Sequence, residues 1–236
     1  MGPDARVEIV GMRWRPLLRL GAATAAIVVL LMPVQAAVFL LDPPPATVTG
    51  FFELFQQSPL RGLLALDLLL SIDYLVMVPL YLALCLLLWR RAPSWALLAL
   101  VTGLFSVVLF LVSRDATFSV WMLSNEYAAA ADDAERTMLL TTGQSLLTLY
   151  NGGTFTVSYL LGAVSALTYS AAMFAHRIFG RLPGLVGIIT GLTMLVPPNI
   201  GSLGVIVAML SLIPTAVWLI LLARAFLASA RAARPD

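Results

Sequence analysis

The chain has 236 residues, 61% of them hydrophobic and only 11% charged, with a formal net charge of +2. A water-soluble domain carries about 25% charged residues, so this composition excludes one and makes a lipid bilayer the solvent for most of the chain. The small net charge gives no footing for a nucleic-acid partner, and a single cysteine, Cys85, rules out an intrachain disulfide or a thiolate zinc site.

A short arginine-rich lead, with Arg6, Arg13, Arg15 and Arg19, precedes the first apolar run, Leu17 to Leu41. A span needs about 20 apolar residues, and this run continues past the loosely cleavable Val34-Gln35-Ala36. It is expected to remain as a span, with a kink at Pro33. Asp42-Pro43-Pro44-Pro45 stops it. Residues 50–62 (GFFELFQQSPLRG) are too short and too polar to cross and suit a short helix at the membrane interface. The second span runs from Leu63 to Trp89, with Asp67, Asp73 and Pro79 inside it. The third runs from Trp95 to Val112 and is closed by Ser113-Arg114-Asp115.

Residues 116–150 cannot all lie in hydrocarbon, because Glu126, Asp132, Asp133, Glu135 and Arg136 fall in their first part. The second part, Thr137 to Tyr150, is short and of mixed polarity, as in an amphipathic helix. Asn151-Gly152-Gly153 breaks the chain before the fourth span, Thr154 to Phe174. The fifth, Leu182 to Val196, is short, and the sixth covers Ile200 to Ala223. With the N-terminus inside, eleven of the 14 arginines fall on the inner side, and only Arg61, Arg114 and Arg136 fall outside. The positive-inside rule therefore favours six spans with both termini cytoplasmic, in a cell inner (plasma) membrane.

Two carboxylates in a span demand an account. A carboxylate at the bilayer centre costs a few kcal/mol, so it must face protein or water. On a continuous helix from Leu63, Asp67 would lie about 6 Å and Asp73 about 15 Å below the outer end, about 120° apart, which keeps them from forming a pair. Each serves either a proton or cation relay, or a ligand, or else an interhelical clamp, for instance to Ser158, Tyr159 or Thr168. Asp67 is shallow enough to pair with Arg61 or Arg114. Gln144 and Asn151, with Tyr74 and Tyr159, would line an outward-facing polar pocket beside Asp67; capping and a tight turn are the plainer reading of Asn151. His176 has no ligand partners nearby and reads as an interface residue. Gly180, Gly184, Gly187 and Gly191 form a small-residue stripe for close helix approach. The sequence has no hydrolase elbow, no zinc-protease motif and no P-loop, so no catalytic residue, metal or cofactor is assigned.

The blocks FFELFQQSPLRGLLALDLLL, VPLYLAL, SNEYAAAADDAERTMLLTTGQSLLTLYNGGTF, SYLLG and FGRLPGLVGIITG, in this order, resemble the bacterial membrane family catalogued as domain of unknown function 4386. The resemblance spans roughly residues 20 to 225. It implies an all-α, polytopic six-span bundle with an extracytoplasmic helical segment between spans three and four, and brings no activity. The expected function is binding or translocation of a small or lipidic molecule through the outward-facing pocket. The alternative is a non-catalytic subunit of a larger membrane complex, joined to a membrane-protein partner or a second copy through an exposed small-residue face.

Overall fold

The computed structural model describes the backbone of residues 3–232, with side chains from Trp14 onward. The described residues form ten helices and no strand: α1 (Pro3–Leu41), α2 (Val48–Gln57), α3 (Pro59–Ala65), α4 (Leu68–Leu88), α5 (Pro93–Ser113), α6 (Asp115–Ala129), α7 (Asp133–Tyr150), α8 (Gly153–Ala175), α9 (Leu182–Thr193) and α10 (Ser202–Ala232). Five helical stretches are long and apolar enough to cross a membrane: Trp14–Leu41, Leu68–Leu88, Pro93–Ala129, Asp133–Ala175 and Ser202–Ala232. The expected fifth span, α9, is an apolar helix of only 12 residues, which rises about 18 Å, well short of a ~30 Å hydrocarbon core.

Six helices pack as a closed ring in chain order. α1 lies on α4, α4 on α5, α5 on α8, α8 on α9, α9 on α10, and α10 returns to α1. In lipid no hydrophobic gain drives such packing, so close approach and hydroxyl bonds carry it. The most extensive seam is α5 on α8. Gly103 abuts Ser165, and Gly162 abuts Ser106. Ser165 donates to the Ala99 carbonyl at 2.7 Å, and one heptad away Ser158 donates to the Ser106 carbonyl at 2.7 Å. On α9 the glycine stripe is spent internally: Gly184 meets the Phe174 backbone, Gly187 meets Ser170 and Trp218, and Gly191 meets Leu167. These glycines are buried, so they present no small-residue face to a partner.

Packing differs between the two ends of the ring. At the end holding Arg91 and His176, which are joined by a 3.1 Å bond from Arg91 to the His176 carbonyl, the interior is filled. Leu80, Leu84 and Leu88 of α4, Tyr169 and Met173 of α8, and Leu219, Leu222 and Phe226 of α10 are all buried there. The opposite end carries a cap made of α2, α3, α6 and α7.

The cap differs from the expectation for residues 50–62. They form two helices, not one, because Ser58-Pro59 interrupts them. Ser58 ends α2 and caps α3, accepting from the Arg61 N–H, and Pro59 opens α3. The phenylalanines of α2 do not lie in lipid. Phe51, Phe52 and Phe55 are buried with Val120 and Tyr150 in a second apolar cluster, where Phe55 stacks on Trp121 and Phe52 tilts against Tyr127. α6 prolongs α5 through Arg114, whose backbone stays helical, whereas α7 meets α8 at Asn151-Gly152, where Gly152 is extended. The turn between α6 and α7 is fixed by Asp132, which accepts from the Glu135 N–H at 2.8 Å, while Glu135 accepts from the Ala131 N–H at 2.8 Å. This resembles a capping box, except that Glu135 reaches back to the residue before the cap and not to Asp132 itself.

Candidate functional site

Asp67 does not lie within a helix, as a span from Leu63 would require. α3 ends at Ala65, and Asp67 sits in the junction before α4 with φ 61° and ψ 32°. That left-handed conformation is one Asp tolerates better than most residues. It turns the carboxylate toward the cap, so the angular relation to Asp73 expected on one continuous helix does not apply. Asp67 Oδ2 accepts a 2.6 Å hydrogen bond from the Tyr150 hydroxyl and lies 3.3 Å from Arg114 Nη2. Of the two arginines considered for it, the structure therefore selects Arg114. Arg61 instead makes a two-pronged bond to Asp42, at 2.8 and 2.7 Å, and these bonds hold the Asp42 carboxyl below the usual carboxylate range.

In the sequence Arg114 was legible as the residue closing a span and as one of two pairing candidates for Asp67. In the fold it is the keystone between ring and cap. It is 4% exposed, and its guanidinium lies 3.8 Å from the Tyr150 ring centre, 4.5 Å from Phe155 and 4.7 Å from Phe110. Nη1 donates to the Tyr150 carbonyl at 2.9 Å, whereas Nε is buried without a hydrogen-bond partner. Arginine suits such a box because its planar, weakly hydrated cation stacks on rings and still donates at its edge. Nearby, Thr117 donates to the Leu66 carbonyl at 3.0 Å, fixing the α3–α4 junction against α6.

Beneath the cap the ring is hollow. A cavity of about 970 Å³ extends from the cap down between α1, α4, α8 and α10, to Tyr74, Tyr159 and Thr215. Asp67, Arg114, Gln144 and Asn151 line its cap end; Gln35 and Ser211 line its flanks. The Tyr74 ring stacks on Phe110 at 3.7 Å, and Tyr159 tilts against Phe155. Asn199, in the α9–α10 connection, donates to the Asn151 carbonyl at 2.7 Å and to Thr156 at 2.8 Å, closing one wall. Five of the six sequence candidates thus converge on one cavity: Asp67, Tyr74, Gln144, Asn151 and Tyr159. Cavities that hold small molecules have this size, with mostly apolar walls and a few placed polar groups.

Asp73 is the sixth, and it lies apart. Its carboxylate, 5% exposed, accepts from Gln35 Nε2 at 2.7 Å and so clamps α4 to α1. None of the expected clamp partners on α8 holds it: Ser158 bonds to Ser106, and Thr168 to the Val164 carbonyl of its own helix. Asp73 Oδ1 is buried without a partner. No group of three or more His, Cys, Asp or Glu side chains that could hold a metal ion occurs among the described residues.

An all-helical chain with several membrane-length apolar helices and an interior built on hydroxyl–carbonyl bonds is a membrane protein with transmembrane helices. Within that class it belongs to the family described as domain of unknown function DUF4386, whose model matches residues 17–227. No curated protein and no solved structure matches the chain.

Proposed function

We propose that the protein binds a small or lipidic molecule in the cavity beneath its helical cap, and that the cavity opens outward from a bacterial inner membrane. The convergence of Asp67, Arg114, Gln144, Asn151, Tyr74 and Tyr159 on one 970 Å³ space carries this reading. A bundle that only needed to be stable would fill that space, since interiors are close-packed. The apolar walls suit a hydrocarbon body, and the charged and amide groups at the cap end suit a polar head.

The membrane placement that goes with this reading has six crossings, with the cap outside and both termini cytoplasmic. In support, α9 leaves the end of the ring where Arg177 and Arg181 lie, and the connection after it is bonded to Asn151 at the cap end. The short α9 therefore covers the return path between α8 and α10. Arginine distribution favours the same orientation.

The test is ligand-induced thermal stabilisation of the purified protein in detergent, over a panel of amphiphiles and solutes. Ala208→Trp narrows the cavity, because Ala208 lines it; Ile220→Trp alters an exposed position on the same helix. Stabilisation by some amphiphile that Ala208→Trp abolishes and Ile220→Trp preserves is the expected result. Equal responses of both variants to every compound would remove the cavity from consideration.

A further inference from the structure

A second feature lies against the outside of the cavity. Along α1, Pro33, Val34, Ala37 and Leu41 face Leu64 and Ala65 across a groove of about 510 Å³, whose only charged residues are Asp42 and Arg61 at its end. Groove and cavity share Val38, Asp42, Leu64 and Ala65 as a common wall. α1 packs along α4 and α10 but only grazes α3, so at this level the ring is bridged by little more than the Asp42–Arg61 pair. Both partners are about half exposed, and the pair stands where α1 ends, at headgroup depth in the membrane placement above.

From this geometry we infer that the cavity takes its ligand sideways from the outer leaflet, between α1 and α3, and that the ligand is a zwitterionic phospholipid with a primary ammonium headgroup. The inference rests on the cavity being a binding site, as proposed above, and adds the route and the chemical class. The groove is apolar along its length and so accepts an acyl chain. At its end a guanidinium and a carboxylate sit side by side. A phosphoethanolamine group carries the complementary pair: its phosphate takes the Arg61 fork, and its ammonium hydrogen-bonds the Asp42 carboxylate. Exchange of the protein pair for two protein–lipid pairs leaves no charge unpaired, so the latch opens without stranding an ion. An anionic glycerol headgroup would offer Asp42 only neutral hydroxyl donors and no cation, and a quaternary choline could not donate a hydrogen bond to Asp42.

Photocrosslinking of the full-length protein in phosphatidylcholine liposomes tests this, with diazirine-tailed phosphatidylethanolamine or phosphatidylglycerol as the probe and crosslinked residues mapped by mass spectrometry. Expected are crosslinks at Val34, Ala37 and Leu64 in the groove and at Met209 and Leu212 in the cavity, stronger with the ethanolamine probe. Ala37→Trp plugs the groove without lining the cavity; it should lower the cavity crosslinks about tenfold, equivalent to ~1.4 kcal/mol. Arg61→Ala should erase the headgroup preference, and the exchanged pair Asp42→Arg with Arg61→Asp should restore it. Cavity crosslinks unaffected by Ala37→Trp would overturn the sideways route while leaving the cavity a binding site. Equal labelling by both probes would overturn the headgroup assignment. Labelling no denser in groove and cavity than at the exposed Ile206 and Ile213 of α10 would show surrounding bilayer lipid only. That result would overturn the inference, and the cavity reading would fail as well only if the amphiphile panel were also silent.

Discussion

Arg114 decides most at the scale of single residues. Its charge is withdrawn from water, matched by one carboxylate and covered by three rings. Removing one partner of a buried ion pair commonly costs 3–5 kcal/mol, because the other charge is left stranded. Here the cost is asymmetric. Asp67 keeps 38% of its side chain exposed against 4% for Arg114, so losing the arginine leaves a carboxylate that water can reach, whereas losing the carboxylate leaves an enclosed cation. Asp67→Asn, which preserves the tolerated left-handed backbone, should therefore destabilise by about 3 kcal/mol. Tyr150→Phe, which removes only the hydroxyl bonded to that carboxylate, should cost about 1.5 kcal/mol. Denaturant or thermal unfolding in a fixed detergent ranks the two, and the reverse order would contradict the stranded-cation account.

A pH dependence follows at the same scale from Asp42. Arg61 lowers its carboxyl below the ordinary range, so the pair is fully formed above the unfolded carboxylate pKa of about 3.9. It is lost only as pH falls through the still lower folded value. Any property that depends on the pair, such as the ethanolamine preference, should be flat from pH 7 down to about pH 4 and be lost only at more acid pH. Asp42→Asn should lack that acid transition. A midpoint near neutrality would assign the transition to another group.

Helices were readable in the sequence to the extent that hydropathy reports them, and unreadable where two helices share one line. The runs ending at Leu41 and Trp89 and the run after Asn151-Gly152 reappear as α1, α4 and α8; α8 keeps its expected ends within one residue, α1 begins well before Leu17, at Pro3, and α4 begins only at Leu68, after the Asp67 junction. The cap does not reappear as drawn, because polarity identifies what leaves hydrocarbon but not the direction it takes. Ser113-Arg114-Asp115 looked like a loop; its backbone stays near-helical, and α6 prolongs α5. The burial of Phe51, Phe52 and Phe55 was hidden for a similar reason: the same apolar face serves a membrane surface or a protein surface. Asp73 shows the limit for pairing, since Gln35 lies 38 residues away and nothing local marks it. Gly143 gives a test of the cap as a packed element. A side chain there would run into Val48 and Phe52, and overpacking typically costs 1–3 kcal/mol. Gly143→Leu should lift α2 from α7 and raise protease sensitivity within residues 44–60, whereas Gly153→Ala, which meets nothing, should leave it unchanged.

At the scale of the whole molecule, the ring and its uneven filling belong together. The end rich in buried Leu, Phe and Tyr is a rigid base, and the hollow end is spanned by a cap that is joined to the base through α5–α6 and α7–α8. Cap and cavity can face a single compartment only if the chain crosses an even number of times between its base-side termini. That turns on α9, whose 12 residues do not reach across a bilayer by themselves. Thinning of the bilayer, or the non-helical Met194–Asn199 stretch, half-buried apart from the exposed Leu195 and the buried Pro197, must supply the remaining length. Single cysteines in a Cys85→Ala background, labelled on intact cells with a membrane-impermeant maleimide, decide it. Glu126→Cys in α6 should react from outside. Ala228→Cys near the end of α10 should react only after permeabilisation, and a cysteine replacing Arg181 at the start of α9 should behave like Ala228→Cys. Should Ala228→Cys label from outside while Arg181→Cys does not, α9 would be a re-entrant segment and the crossings would number five. The α9–α10 connection would then lie inside the cell, away from Asn151, in conflict with the 2.7 Å bond that joins Asn199 to it.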